Sequence, residues 1–345
     1  MRGKLYLYGI GGGGINILSS VANSISNLGE GFAEVELRTI DTTTKTIDKH
    51  PELLNTFYKI DSQRVSTDAL DGLAGERKNK EAVLDIQNSL KEYLDTKIGP
   101  NKKNEYHILI FTGSGGSGSV TASILISLMR SKDYNVLPVV IGDEANLLYV
   151  TNTINTLVGL NNIAKKTGTA LPIVYFSNSI DGITNYKYEN ETNQNVERFL
   201  SVFSMFVSGD IQDLDHQDMS NFLHPNRYKS FHVEPGLYTM GVKIKELNDY
   251  NTILARTIVL PNSKNYKIEV PLLHNKVGIA NDNHTEVFTE KAFPTYLTFK
   301  KNEINTIVEK LQERHKQLEE LKEVKSSTLD KLSDAIEDDD LGLVM

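Results

Sequence analysis

Two glycine runs and one pair of aspartates are the places where this sequence could do chemistry. Gly9-Ile10-Gly11-Gly12-Gly13-Gly14 follows a short apolar-rich run over residues 4–8. It precedes a stretch in which Ile17/Val21 and Leu18/Ala22 recur at i, i+4, so the unit reads as strand, glycine loop, helix. Glycines after a strand let the backbone approach a phosphate, and the next helix points its positive end there. A second run, Gly113-Ser114-Gly115-Gly116-Ser117-Gly118-Ser119, follows the apolar residues 107–111. Neither run contains Gly-Lys-Ser/Thr, which argues against a P-loop. The hydroxyls of Ser117 and Ser119, with the loop amides, suit a triphosphate and its Mg²⁺ without a lysine. Asp215 and Asp218 stand three apart, a spacing that turns both carboxylates to one side of a helix start. Such a pair can orient and deprotonate a water; taken alone, it reads as a solvated helix cap.

The first loop has a rival reading. Gly9-x-Gly11-x-x-Gly14 matches the dinucleotide-binding pattern, and Asp41, closing the second strand-like run at residues 35–40, stands where a ribose-binding acid would be. That reading makes the chain an NAD(P)-dependent oxidoreductase. It leaves the second glycine loop and the Asp-x-x-Asp pair without a role, whereas a nucleotide whose phosphates lie across adjacent strand-to-helix loops uses both loops.

These residues need a frame. Helical spacing of Val83, Ile86, Leu90 and Leu94 predicts a helix, and Ile124, Leu125, Leu128 and Met129 another. Residues 135–141 and 171–176 read as strands, and residues 145–166 as a helix between them. Alternation of this length predicts an α/β architecture, a doubly wound and mainly parallel sheet. A long helix over 184–209 carries Val196, Leu200, Phe203 and Val207 on one face, widened by Phe199 and Phe206, and is expected to be sandwiched between two domains. Strand-like runs at 232–240, 252–260, 266–273, 276–280 and 294–300 predict a smaller α+β domain. Residues 301–336 form one helical stretch with Ile304, Leu311 and Leu318 seven apart, expected to pack on its own chain. The expected domains are 1–182, the linking helix 183–210, a second domain 211–300, the helix 301–336 and a tail 337–345.

Composition narrows the classes. The chain has 345 residues, 39% apolar and 24% charged, and a net charge of −8. The charge argues against general attraction to DNA or anionic lipid, so a polyphosphate must be held by backbone amides, helix N-termini and metal ions. With no cysteine, disulfides and thiolate metal sites are excluded. The first residues lack the apolar stretch of a secretory signal, and no window approaches the ~20 apolar residues of a membrane helix. The expected location is the cytoplasm, with no membrane and no direct nucleic-acid partner. Asp334, Glu337, Asp338, Asp339 and Asp340 crowd the C-terminus ahead of an apolar tip, Leu341-Gly342-Leu343-Val344-Met345, and this tail is expected to dock on a neighbouring subunit.

In this order the motifs resemble the tubulin/FtsZ superfamily. Gly115-Gly116-Ser117-Gly118-Ser119 is similar to its G-G-T-G-S-G loop, with Ser117 keeping the threonine hydroxyl and Val120 departing from the last glycine. Gly11-Gly12-Gly13-Gly14 with Asn16 resembles the FtsZ segment G-G-G-G-N, Asp41 the acid of a second nucleotide loop, and Gly75 in Leu73-Ala74-Gly75 a third. Asp213-Leu214-Asp215-His216-Gln217-Asp218-Met219 resembles the FtsZ synergy loop N-L-D-F-A-D-V. The resemblance spans roughly residues 5–220 and implies a GTPase that binds GTP or GDP with Mg²⁺. It implies self-assembly head to tail, with Asp215 and Asp218 as catalytic residues serving the neighbour's GTP. It puts Asn178 on the guanine, with Asn193 or Asn195 adding a second base contact and Asp143 or Glu144 contacting ribose. The long last helix and acidic tail look most like the divergent phage tubulins, the PhuZ-like group, and next the plasmid and phage TubZ group. The task implied is positioning phage DNA in the infected bacterial cytoplasm, or DNA segregation in the TubZ case.

Overall fold

A computed structural model describes residues 2–29, 31–60, 80–180, 182–209, 215–224, 226, 234–244, 252–259, 293–300 and 303–338. The chain opens with β1 (Lys4–Ile10), α1 (Gly11–Ser26) and β2 (Glu34–Asp41), then two 3-10 turns (Ile47–Lys49 and Pro51–Thr56) and β3 (Phe57–Lys59). Next come α2 (Lys80–Tyr93), which widens into a π turn over Leu94–Ile98, β4 (Glu105–Thr112), α3 (Ser117–Ser131), β5 (Asn135–Gly142), α4 (Leu147–Thr167) and β6 (Ala170–Ser177). A small hairpin, β7 (Ser179–Ile180) and β8 (Ile183–Thr184), leads into α5 (Tyr186–Phe206) and α6 (His216–Leu223). The last elements are β9 (Gly236–Ile244), β10 (Thr252–Val259), β11 (Phe293–Lys300) and α7 (Glu303–Asp338).

The doubly wound, mainly parallel sheet forms as the alternation predicts. Its order is β10-β11-β9-β6-β5-β4-β1-β2-β3. Every neighbouring pair from β3 to β9 is parallel, and β11 and β10 add on antiparallel. Period-two alternation in β1 divides the core. Leu5 and Leu7 pack with Ile17, Leu18, Phe199 and Phe203 on the α1/α5 face. Tyr6 and Tyr8 pack with Leu90, Leu125, Met129 and Leu157 on the α2/α3/α4 face. Both faces are covered, which is why the central strands are apolar almost throughout.

Strands from the region expected to form the smaller α+β domain hydrogen-bond to the edge of this sheet. β9 pairs with β6 from Ala170↔Gly236 to Ile173↔Thr239. Beyond Ile173 the two strands part, and a cleft of about 690 Å³ opens there, lined by Val174, Phe176, Phe199, Val202 and Met240. The runs at 266–273 and 276–280 lie outside the described residues, as do Gly75, Asp213 and the tail beyond Asp338. Helix α7 packs on its own chain: Ile304 and Leu311 are buried, and Ile307, Val308 and Leu318 lie against the α4 side of the core. No described helix is long and apolar enough to cross a membrane.

Candidate functional site

The two glycine loops meet at the carboxyl edge of the sheet. β1 passes straight into α1 at Gly11, which has a positive φ of 68°. A Cβ on Gly11 would lie 2.5 Å from Gly118 Cα, and one on Gly118 would lie 2.8 Å from Ile10 O. The loops therefore lie backbone against backbone, closer than any side chain permits. Thr112, ending β4, sits between them: a Cβ on Gly13 would be 2.5 Å from its Cγ2, and one on Gly115 would be 2.8 Å from its Oγ1. Gly12 faces the Thr46 hydroxyl.

What the loops offer is two helix starts without a side-chain cap. The first amides of a helix have no partner within it. α4, α5 and α6 close theirs with a side chain, Asn146 accepting from Tyr149 N–H, Asn185 from Tyr188 N–H and Asp215 from Asp218 N–H. α1 and α3 have no side-chain cap and no acid in the first turn. Two uncapped N-termini side by side form a cradle for a polyanion.

Asp41 stands at its rim. The carboxylate is buried and accepts from Thr42 N–H at 2.7 Å. Burial pushes its pKa up to about 6, against the pull of hydrogen bonds from Thr42, Thr43 and the Ser117 hydroxyl. Ser117 is thus near enough to Asp41 to bear on its charge. An acid there repels a phosphate unless a cation lies between them. The described residues hold no cluster of three or more His, Asp or Glu side chains placed for a metal. A divalent cation at Asp41 and Ser117 would thus draw its other ligands from phosphate and water, which suits Mg²⁺.

Several expected contacts take other roles. The Ser119 hydroxyl, expected to face the ligand, donates within its own loop to Gly115 O at 2.7 Å and Gly116 O at 3.0 Å. Asn16 is exposed on α1 with its Oδ1 2.9 Å from His50 Nε2. Asp143 is buried, its Oδ1 accepting from Ala145 N–H (2.8 Å), Ser179 Oγ (2.8 Å) and Thr184 Oγ1 (3.0 Å). It ties the β5 loop to the β7–β8 hairpin. Burial raises the Glu144 pKa, and the Arg314 charge opposes that. Asn178, just past β6, donates its N–H to Gly142 O at 2.9 Å. Thr192 donates to Ser177 O at 2.9 Å, which holds α5 against the end of β6 one residue before Asn193. Asn195 instead lines the cleft between α5, β6 and β9.

Thr42, Thr112 and Arg314 were missed. Thr42 opens a run of three threonines after Asp41, and Thr112 directly precedes the second loop; both were visible as hydroxyls beside a phosphate loop. Arg314 gave no signal. From α7 it donates to Glu144 O at 3.4 Å and lies over Gly182.

The acidic pair lies at the other edge. Asp215 caps α6, accepting Asp218 N–H at 2.8 Å, and Asp218 accepts Asp215 N–H at 3.2 Å. This reciprocal box leaves Asp215 exposed, while partial burial raises the Asp218 pKa. The neighbouring His216 places its Nδ1 3.1 Å from the hydroxyl of Tyr106, the second residue of β4. The second glycine loop follows the last residue of β4, Thr112. At ~3.3 Å per residue that separates the acids from their own cradle by about 20 Å.

No protein-family model matches the sequence, and no curated protein does. Solved structures do match. A protofilament of TubZ from Bacteriophage PhiKZ superposes with a TM-score of 0.69 at 20% identity, over 92% of this chain and 91% of that one. The phage tubulin PhuZ in its GDP form gives 0.66 at 17% identity, over 92% and 91%. A mutant FtsZ of M. jannaschii gives 0.53 at 13% identity, over 87% and 91%. The fold is that of the tubulin/FtsZ group, and it gives the single-loop dinucleotide reading no use for the second loop.

Proposed function

We propose that this chain binds GTP in the cradle between α1 and α3, and that copies stack head to tail so that Asp215 and Asp218 of one complete the site of the next. The observation that carries this is the separation along β4: a phosphate cradle at one edge of the sheet, and an acid pair about 20 Å away at the other. Within one molecule they never meet. Translation along the strand direction brings one copy's acids onto the next copy's cradle, and a head-to-tail contact that does not close into a ring grows a filament. Likeness to a TubZ protofilament and to a GDP-bound phage tubulin supports the same reading.

In this reading the uncapped amides of α1 and α3 hold the phosphates. Asp41 and the Ser117 hydroxyl hold Mg²⁺, which when bound offsets negative charge on the phosphates. Glu144 and Asn178 line the ribose and base side, with Asn193 on α5 next to them. Exposed Asp215 orients the attacking water, and Asp218, its pKa raised by partial burial, takes its proton. Positioned acid–base groups of this kind contribute about 10²–10⁴ in rate. Filament turnover follows if the contact is stronger with GTP than with GDP, since only such a difference can shift assembly. The task we assign to the filament is positioning phage DNA in an infected bacterial cell, without direct contact, given the net charge of −8.

GTP hydrolysis measured against protein concentration, with light scattering on the same samples, tests this. Specific activity should be negligible when dilute and rise with scattering. Activity per molecule that stays flat without polymer would remove the case for a shared site.

A further inference from the structure

α3 begins in the phosphate cradle and ends, about 22 Å away at 1.5 Å per residue, on the acid helix. The contact is Arg130, in the last turn of α3 and buried. Its Nη1 donates to Leu223 O, the last residue of α6, at 3.2 Å. Its Nη2 donates to Ala170 O at 3.1 Å and Thr169 Oγ1 at 3.2 Å, at the start of β6. A cation here also faces the negative end of α6. His224, next along the chain, places its Nε2 3.1 Å from Tyr134 O, just past α3. α6 is only 8 residues long, so a shift at its C-terminal end moves the carboxylates at its start.

We infer that Arg130 is a positioning residue for hydrolysis: it fixes the acid helix to the far end of the phosphate-loop helix, and so aims Asp215 and Asp218 at the neighbouring subunit's nucleotide. This rests on the shared-site reading and deepens it. Other anchors hold α6 in place as an element. Met219, Phe222 and Leu223 are buried, and Ser220 Oγ donates to Asn135 Oδ1 at 2.7 Å. Loss of the guanidinium therefore loosens the aim and leaves the helix docked.

The inference makes the effect of Arg130 act between subunits, which a complementation mixture reads. Arg130→Gln filaments should turn over GTP about tenfold or more slowly, with GTP affinity of the dilute monomer within about twofold of wild type. Equal amounts of Arg130→Gln and Asp215→Ala, labelled so that mixed filaments are verified, decide where the defect acts. If Arg130 aims its own chain's acids, neither variant supplies working acids and the mixture stays at the floor. If Arg130 only shapes its own nucleotide pocket, junctions pairing Arg130→Gln acids with an Asp215→Ala pocket work. Random mixing then restores about a quarter of the wild-type rate, which overturns the inference, as does normal turnover of Arg130→Gln alone. Should Arg130→Gln not assemble, Arg130→Lys, which keeps the charge on a single-point donor, enters the same mixture with the same two outcomes. Full turnover by Asp215→Ala alone strikes the shared-site reading itself, independently of Arg130.

Discussion

At the carboxyl edge of the sheet, α1 and α3 start with amides that no side chain closes. At the amino edge, α6 starts with amides closed by the Asp215–Asp218 box. A helix end without a cap forgoes about 1 kcal/mol of stability. Two such ends placed together make sense where a ligand supplies the missing acceptors. At the other edge the same kind of end is made self-sufficient, and its carboxylates are presented outward. One edge leaves helix starts without side-chain caps and the other presents carboxylates, a difference that the proposed head-to-tail contact would use.

The largest effect should come from separating the two duties of the acid. Asp215→Asn keeps a good cap but not the carboxylate that orients the water. Turnover in assembled filaments should fall by about 10²–10⁴, with monomer GTP affinity and melting temperature unchanged; a nearly active variant would reduce Asp215 to a cap. At the receiving edge, Gly118→Ala puts a Cβ 2.8 Å from Ile10 O. It should weaken GTP binding by about 10- to 100-fold, 1.4–2.8 kcal/mol, as titration with a fluorescent GTP analogue would show; unaltered affinity would place the phosphates elsewhere.

Asp41 gives a pH signature. Its pKa is raised from 3.8 to about 6 by burial, so the folded state binds the proton more tightly than the unfolded one. Ligand-free stability should therefore fall as pH rises from about 4 to about 6 and level off above. Asp41→Asn should abolish that slope and stabilise the ligand-free protein near pH 7 by up to about 3 kcal/mol. Thermal melts across pH check this, and a wild-type profile rising over that window would show the wrong sign. The smallest effect is Asp215→Ala against Asp215→Asn: the alanine variant should be about 1 kcal/mol less stable in chemical denaturation, and equal stabilities would mean the box contributes nothing.

Local signals were legible in the sequence. The alternation of Leu5 and Leu7 with Tyr6 and Tyr8 is the division of the core, and both glycine loops lie where a strand gives way to a helix. The Asp-x-x-Asp spacing was legible as a cap as well as a candidate base, and the structure shows the cap. Partners far apart in the chain were not legible. Asp143 looks free until Ser179 and Thr184 fold onto it, and His216 gives no hint of Tyr106. The continuation of the sheet from β6 into β9 was hidden for a related reason, since periodicity marks a strand but not its neighbour. Nor was it legible that the Ser119 hydroxyl donates to its own loop's carbonyls.

Helix α7 runs toward the carboxyl edge, from Ile304 beside Leu157 and Asn161 to Arg314 beside Glu144 and Gly182. It does not stop there. The remainder, from Arg314 to Asp338, adds roughly 36 Å at 1.5 Å per residue. In the proposed head-to-tail stack, this length of helix would lie toward one terminus of the polymer and not the other. If copies stack as proposed, an arriving subunit would meet this helix at one end of the polymer and not at the other, so the two ends would be unequal docking targets before any nucleotide is hydrolysed.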